Sequence, residues 1–401
     1  MANILFTWEM GGNLGHLALI RSLAQVAARR GHTVSVALRD LRFAGGVLGD
    51  LRFDCFQAPF RLPGNPRPTP QCLSYAHTLE DFCFSGEGEL ALRIAAWRQI
   101  FDATRPDLVF YEHSPGALIA SHDYAFGKIV VGNGFCNPPT TLVEGVFAPF
   151  ITTRREAATM ATLRLNDQRL LGVLNQGCKL AGAPLFDDLA EIYRQADHTF
   201  CATLPALDQF GARDGGVYLG AQPSFAAAQP RWPEGAGDKV FCYLQNFPAV
   251  GRLLAELCAT GLNLLVYSRD IPEDVQRRAE TQGRIRFSRE PVNIETVSRE
   301  ARFVVHHGGH TTAIQCVLNG VPQLCVPTQQ EQLLTALQLD RAGVGITAPY
   351  NQKTFAADIR QLQERPQFRQ NARQLQQKYA DFNWEHSEQK VDTALTQLLA
   401  R

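Results

Sequence analysis

Phe303-Val304-Val305-His306-His307-Gly308-Gly309-His310-Thr311-Thr312 decides the fold of this chain. An apolar run, Phe303 to Val305, ends in a glycine pair, and a helix-like stretch over 311–318 follows at once. A strand that turns through glycine straight into a helix is the building unit of a parallel α/β sheet. The turn exposes unpaired backbone N–H groups at a helix start, which the helix dipole makes partly positive. A diphosphate is the natural ligand for such a place. His307 adds a donor and Thr312 a hydroxyl, beside the backbone N–H groups near Thr311. Such groups stabilise the charge on a departing diphosphate without a metal.

The same unit recurs on both sides of this stretch. In the first half, apolar runs at 3–8, 33–38, 108–111 and 129–131 alternate with a helical pattern at 17–30 that Gly31 closes. The second series has strand patterns at 240–244, 262–267, 285–287, 303–305, 323–326 and 344–347, with helices near 250–259 and 272–282. Between the two, residues 219–238 are rich in Gly, Ala and Pro, with little periodicity, and read as a linker. Residues 366–399 read as helical and polar, broken near Asp381-Phe382-Asn383. The expected organisation is a first domain over 1–218, the linker, a second domain over 239–380, and a helix in 381–401 packing back on the first domain. Each domain is predicted to be a doubly wound, Rossmann-like parallel sheet. Such sheets bind ligands outside the carboxyl ends of their strands, so the loops after Trp8, Tyr111 and Val131 face a cleft. Residues 60–100 read as an irregular insert, because Pro63, Pro66, Pro68 and Pro70 interrupt regular structure there.

Composition narrows the class. A chain of 401 residues fits two domains. It is 45% hydrophobic and 19% charged, with a formal net charge of +0, so no bulk field favours nucleic acid or an anionic membrane. No apolar stretch reaches the roughly 18 residues of a membrane span. The ten cysteines are scattered, without a C-x-x-C pair, and read as reduced core thiols of a cytoplasmic protein.

The chain resembles glycosyltransferase family 1, the group with plant UDP-glycosyltransferases and bacterial macrolide and rhamnosyl transferases. Its donor signature begins His-Cys/Gly-Gly with Ser or Thr at the sixth position, and runs through Gly-Val-Pro to Pro-x-x-x-Asp-Gln. Here stand His307, Gly309 and Thr312, then Gly320-Val321-Pro322, then Pro327 with Glu331-Gln332 and Ala336, and finally Gly343-Val344-Gly345. The family's N-terminal Gly-His and Arg-Gly-His are matched by Gly15-His16 and Arg30-Gly31-His32. Four positions depart from the pattern: Leu19 replaces a proline, His310 a frequent Trp, Gln315 a Glu and Glu331 an Asp. The resemblance implies the GT-B fold, two Rossmann-like domains facing a cleft. It also implies inverting transfer of a hexose from a UDP- or dTDP-linked donor to a hydroxyl of a small acceptor, of natural-product or lipid type.

The implied roles fall on named residues. His16, at the mouth of the first helix, is the candidate general base, since a neutral imidazole accepts a proton near pH 7. Behind it a carboxylate fixes the tautomer. Glu112 is the candidate, with Asp107 the alternative. His307, Gly309, Thr311 and Thr312 hold the diphosphate, and Asn246 lies near it. Gln315 is placed on the ribose, Val292 at the base edge, and Glu331 and Gln332 on sugar hydroxyls. Phe82, Phe84 and Phe135 are candidates for an apolar or aromatic acceptor pocket. No metal is expected: His306 and His307 should point to opposite sheet faces, and no cysteine or carboxylate completes a tetrahedral set with them. No cofactor beyond the donor is implied. Two other readings remain, a non-catalytic sugar-nucleotide-binding protein and a sugar-nucleotide epimerase of the same architecture.

Overall fold

Asn3–Trp8 and Thr33–Leu38 become strands buried along almost their whole length. Strands covered on both faces need no alternation of polar and apolar residues, so they read as continuous hydrophobic runs. The computed structural model describes residues 1–12, 14–62, 72–84, 86–223 and 227–400. Its chain forms two units, each built on one sheet.

The first unit comprises Met1–Ala202, Phe210–Gln222 and Trp384–Arg401. Its seven strands are β1 (Asn3–Trp8), β2 (Thr33–Leu38), β3 (Asp54–Gln57), β4 (Leu108–Glu112), β5 (Gly127–Gly132), β6 (His198–Cys201) and β7 (Val217–Tyr218). They lie in the order β3-β2-β1-β4-β5-β6-β7, all parallel. The register sets Trp8 of β1 beside Glu112 of β4, at the carboxyl ends of the central strands. Helix Leu14–Arg29 follows β1 and starts earlier than the hydrophobic pattern indicated, which places His16 in its first turn. Helix Trp384–Leu399 also belongs to this unit. Lys390 Nζ donates to the Tyr218 carbonyl at 2.8 Å, Arg29 pairs with Glu388 at 2.8 Å, and Arg30 pairs with Asp392.

The second unit comprises Thr203–Gln209 and Pro223–Asn383. Its strands are β8 (Lys239–Tyr243), β9 (Asn263–Tyr267), β10 (Ile285–Ser288), β11 (Phe303–His306), β12 (Gln323–Cys325) and β13 (Gly345–Thr347). Their order is β10-β9-β8-β11-β12-β13, again all parallel. One apolar layer packs Leu253, Leu257 and Phe355 against one set of strand side chains, including Phe303 and Val305. The other joins Val304, Val292, Val297 and Cys316.

Two expectations need correction. Residues 60–100 are not irregular throughout, for helices Tyr75–Phe82 and Glu87–Thr104 occupy much of the stretch. Pro63, Pro66, Pro68 and Pro70 lie outside the described residues. No proline follows them up to residue 104, and Leu90, Ile94, Trp97 and Phe101 are buried along one helical face. Three strands of the first sheet, β3, β6 and β7, were not foreseen. They are short and carry polar residues such as Asp54 and His198.

Candidate active site

In the first unit the structure brings His16 and Glu112 together. His16 Nδ1 lies 2.8 Å from each carboxylate oxygen of Glu112. The side chains are 10% and 4% exposed, so solvent screens the pair little. Nδ1–H donates to the carboxylate, and Nε2 is then the ring atom that accepts a proton. The Trp8 ring stacks on the imidazole at 5.2 Å. Gly11, at φ +85°, makes room for the His16 ring: a Cβ there would stand 2.3 Å from Nε2. Asp107 is elsewhere, at the start of β4, where its carboxylate accepts the Asn3 amide at 2.7 Å.

Close to this pair stands His113, whose part sequence reasoning missed. His113 stacks on His16 at 5.9 Å, and Phe135 meets the His113 ring edge-on at 6.0 Å. His113 directly follows Glu112, so adjacency to the predicted carboxylate was the signal. Of the acceptor candidates, Phe135 and Phe84 are buried and Phe82 is 54% exposed. Phe135 also packs on Tyr75 and Phe150. Phe135 is therefore the one of the three that the structure sets beside the His16 cluster through ring contacts.

In the second unit the turn after β11 is held from both sides. His306 is fully buried: its Nδ1 accepts the Gly308 amide at 3.1 Å, and its Nε2–H donates to Gln323 at 2.9 Å. Gly308 takes φ +88°, which a residue with a side chain would resist, and a Cβ there would strike the Gln332 carbonyl at 2.6 Å. His307 points the other way from His306. Its Nδ1 lies 3.2 Å from the Tyr243 carbonyl, and its ring meets Tyr243 edge-on at 4.8 Å. Nε2 comes over Gly309, the residue that precedes helix His310–Leu318. Burial pushes the His307 imidazole down to about 4, so it is neutral near pH 7. A neutral ring whose Nδ1–H donates to Tyr243 presents Nε2 as an acceptor. To donate to a phosphate, His307 must first take up a proton.

Other donor candidates surround the same strand ends. Thr312 and Gln315 are buried on helix His310–Leu318. Gln332 is buried in the first turn of helix Gln330–Arg341, which Glu331 shares. Its amide oxygen accepts the Thr328 amide at 2.9 Å, and its nitrogen reaches Gln245 at 3.3 Å. Gln245 and Tyr243, at the end of β8, are members of this cluster that the sequence did not single out. Asn246 is exposed, and its amide donates to Asp270 at 3.0 Å. Val292 is buried and pairs with Ala228 in a β-bridge.

His310 has a different place. It is 8% exposed, its Nε2 donates to Thr203 at 2.7 Å, and its Nδ1 lies 3.2 Å from Gln209. It thereby fastens the segment Thr203–Gln209 within its unit. Burial pushes its imidazole down to about 3.

Comparisons with known proteins agree with this fold. Residues 280–383 match the family model for the erythromycin biosynthesis protein CIII-like C-terminal domain. A PGL/p-HBAD biosynthesis glycosyltransferase of Mycobacterium tuberculosis is 24% identical over 81% of this chain and 79% of its own length. TDP-daunosamine transferase DnrS of Streptomyces peucetius is 30% identical over a shorter stretch, 32% of this chain and 31% of its own. The solved structure of spinosyn rhamnosyltransferase SpnG complexed with thymidine diphosphate has a TM-score of 0.62 at 17% identity, covering 95% of this chain and 96% of that one. A likeness at that identity speaks for the fold. Among the described residues no helix is long and apolar enough to cross a membrane. By motif, sheet topology and these matches, the chain is a family 1-like glycosyltransferase with the GT-B fold.

Proposed function

We propose that the protein transfers a hexose, with inversion, from a UDP- or dTDP-linked donor to a hydroxyl of a small apolar or aromatic acceptor. The observation that carries this reading is the His16–Glu112 pair, with Nδ1 at 2.8 Å from the carboxylate. Inversion in one step needs the acceptor hydroxyl to lose its proton as it attacks the anomeric carbon. Nε2 of His16 takes that proton, and Glu112 holds the tautomer and stabilises the imidazolium as it forms. The departing diphosphate is stabilised by the N–H groups at the start of helix His310–Leu318, by Thr312 and by a protonated His307. These groups meet the diphosphate charge without a metal, and no cofactor is needed beyond the donor.

Gln315 is assigned to the ribose and Val292 to the base edge. Glu331 and Gln332 are assigned to sugar hydroxyls, Asn246 to the diphosphate side, and Phe135 to the acceptor. The dTDP alternative draws support from two relatives, one named a TDP-daunosamine transferase and one solved with thymidine diphosphate.

The test pairs transfer with nucleotide binding. His16→Ala should lower kcat about 10²–10⁴-fold, the usual contribution of a general base. Its thermal stabilisation by UDP or dTDP should remain that of the wild type. Unimpaired transfer by His16→Ala would overturn the mechanism.

A further inference from the structure

Around His16 the first unit gathers two more donors that sugar transfer does not use. His113 is 4% exposed, and among the described residues neither of its ring nitrogens has a hydrogen-bond partner. Leaving a buried polar group unpaired costs about 1–3 kcal/mol. The backbone of His113 also sits at φ +44°, a region that favours glycine. Burial holds this imidazole well below its usual range, with lesser contributions from His16 and Arg39 in the same direction and from Met10 in the other. A neutral imidazole is the form a metal binds. Cys136, 1% exposed in the loop after β5, brings a thiol, and Gly132 admits it: a Cβ at 132 would stand 2.7 Å from Cys136 Cβ.

One ligand atom from each of His16, His113 and Cys136 lies within 4.8 Å of the other two. In a tetrahedral zinc shell such atoms stand about 3.3–3.8 Å apart, given metal–nitrogen and metal–sulfur bonds of about 2.0 and 2.3 Å. Binding requires side-chain rotations that close the difference. Two imidazoles and a thiolate select a borderline-soft cation over magnesium or calcium. Glu112, already on His16 Nδ1, supplies the carboxylate that commonly stands behind a metal-bound histidine.

We propose that His16, His113 and Cys136 form a binding site for a thiophilic divalent cation, zinc first, and that its occupation silences the base. Two metal–nitrogen bonds and one metal–sulfur bond form, water takes the fourth position, and the Cys136 thiol proton leaves to solvent. The cation takes the Nε2 lone pair that would otherwise accept the acceptor's proton. The inhibitory half rests on His16 being the base, whereas the site itself does not.

Cobalt(II) is the probe, titrated into reduced, chelator-treated full-length protein near neutral pH. One equivalent should give a thiolate-to-cobalt charge-transfer band with the intense visible absorption of a tetrahedral site, displaced by zinc. Cys136→Ser should abolish the band, and His113→Gln should weaken cobalt binding roughly tenfold or more, as loss of even an outer partner does. Zinc should inhibit transfer by the wild type at concentrations at least about tenfold below those needed for Cys136→Ser, whose rate without zinc should be that of the wild type. No charge-transfer band in the wild type, or an equal band in Cys136→Ser, overturns the site. A Cys136-dependent band with transfer unchanged at saturating metal overturns the inhibition. His16→Ala then separates the causes, because retained transfer in that variant shows that the base assignment itself has failed.

Discussion

Gly11 and His16 are in such close apposition that a methyl group on residue 11 would stand 2.3 Å from the imidazole Nε2. The glycine thus keeps one approach to the imidazole clear, and its φ of +85° also excludes most other residues. Gly11→Ala should therefore act twice. Backbone strain should destabilise the fold by about 1–2 kcal/mol. The displaced ring should lower kcat by at least roughly tenfold, a small part of what a general base contributes. Nucleotide affinity should stay at the wild-type value. Urea denaturation and steady-state kinetics separate the two effects, and an alanine variant with full kcat would show that this contact does not set the position of the base.

With His307 on the diphosphate, as proposed, donor binding becomes a protonation event. In the ligand-free protein its imidazole is pushed down to about 4 by burial. A diphosphate beside Nε2 raises that value, so binding near neutral pH should take up as much as one proton. Affinity should then fall as pH rises through the value in the complex, by up to about tenfold per pH unit. Calorimetry of UDP and dTDP in buffers of different ionisation enthalpy reads the uptake directly. His307→Ala serves as the control for titration of the nucleotide itself. Equal uptake by wild type and variant would mean that His307 does not donate to the phosphate.

The second unit should be acid-labile. His306, His307 and His310 are pushed by burial to about 3, 4 and 3, below the ordinary 6.5. With the folded values lower than the unfolded ones, the unfolded state binds more protons whenever the pH is below about 6.5. Stability is therefore fully present above that point and is lost as pH falls towards 4 and 3. Each histidine contributes a slope of about 1.4 kcal/mol per pH unit in the window. Hydrogen exchange at neutral and mildly acid pH should show the amides of β11 and helix His310–Leu318 losing protection first. Uniform loss over both sheets would contradict the assignment.

Within one motif, His307 and His310 should separate by phenotype. His310 is engaged with Thr203 and Gln209, so His310→Phe removes two buried side-chain hydrogen bonds. A loss of about 0.5–1.5 kcal/mol of stability is expected per hydrogen bond. Nucleotide affinity should change less than twofold by the same comparison, since about 0.4 kcal/mol is a factor of two. A large drop in affinity at unchanged stability would place His310 on the donor instead.

Much of this was legible in the sequence, for identifiable reasons. The central strands are covered on both faces, so β1, β2, β4 and β11 appear as unbroken apolar runs. Glycines at Gly308, Gly309 and Gly11 mark places where backbone or a ring needs the volume of a missing Cβ. The edge strands β3 and β7, and β6 beside β7, escaped because they are short and their apolar runs are broken by polar residues such as Asp54 and His198. Helix Glu87–Thr104 was hidden behind the preceding prolines. His113 and Cys136 were unreadable as a pair, because their meeting depends on β4 and β5 lying side by side. The role of His310 was obscured for a similar reason: its partners Thr203 and Gln209 are about a hundred residues away.

Helix Trp384–Leu399 lies on the first unit, while the chain that precedes it, Pro223–Asn383, makes up most of the second. During synthesis, then, all seven strands of the first sheet are made before most of the second unit, but the helix that covers part of the first unit is made after it. Until that moment the positions that receive Val391, Ala394, Leu395 and Leu398 remain wet, and Arg29 and Arg30 lack their carboxylate partners. The unit that carries His16 is therefore assembled from chain made both before and after most of the second unit.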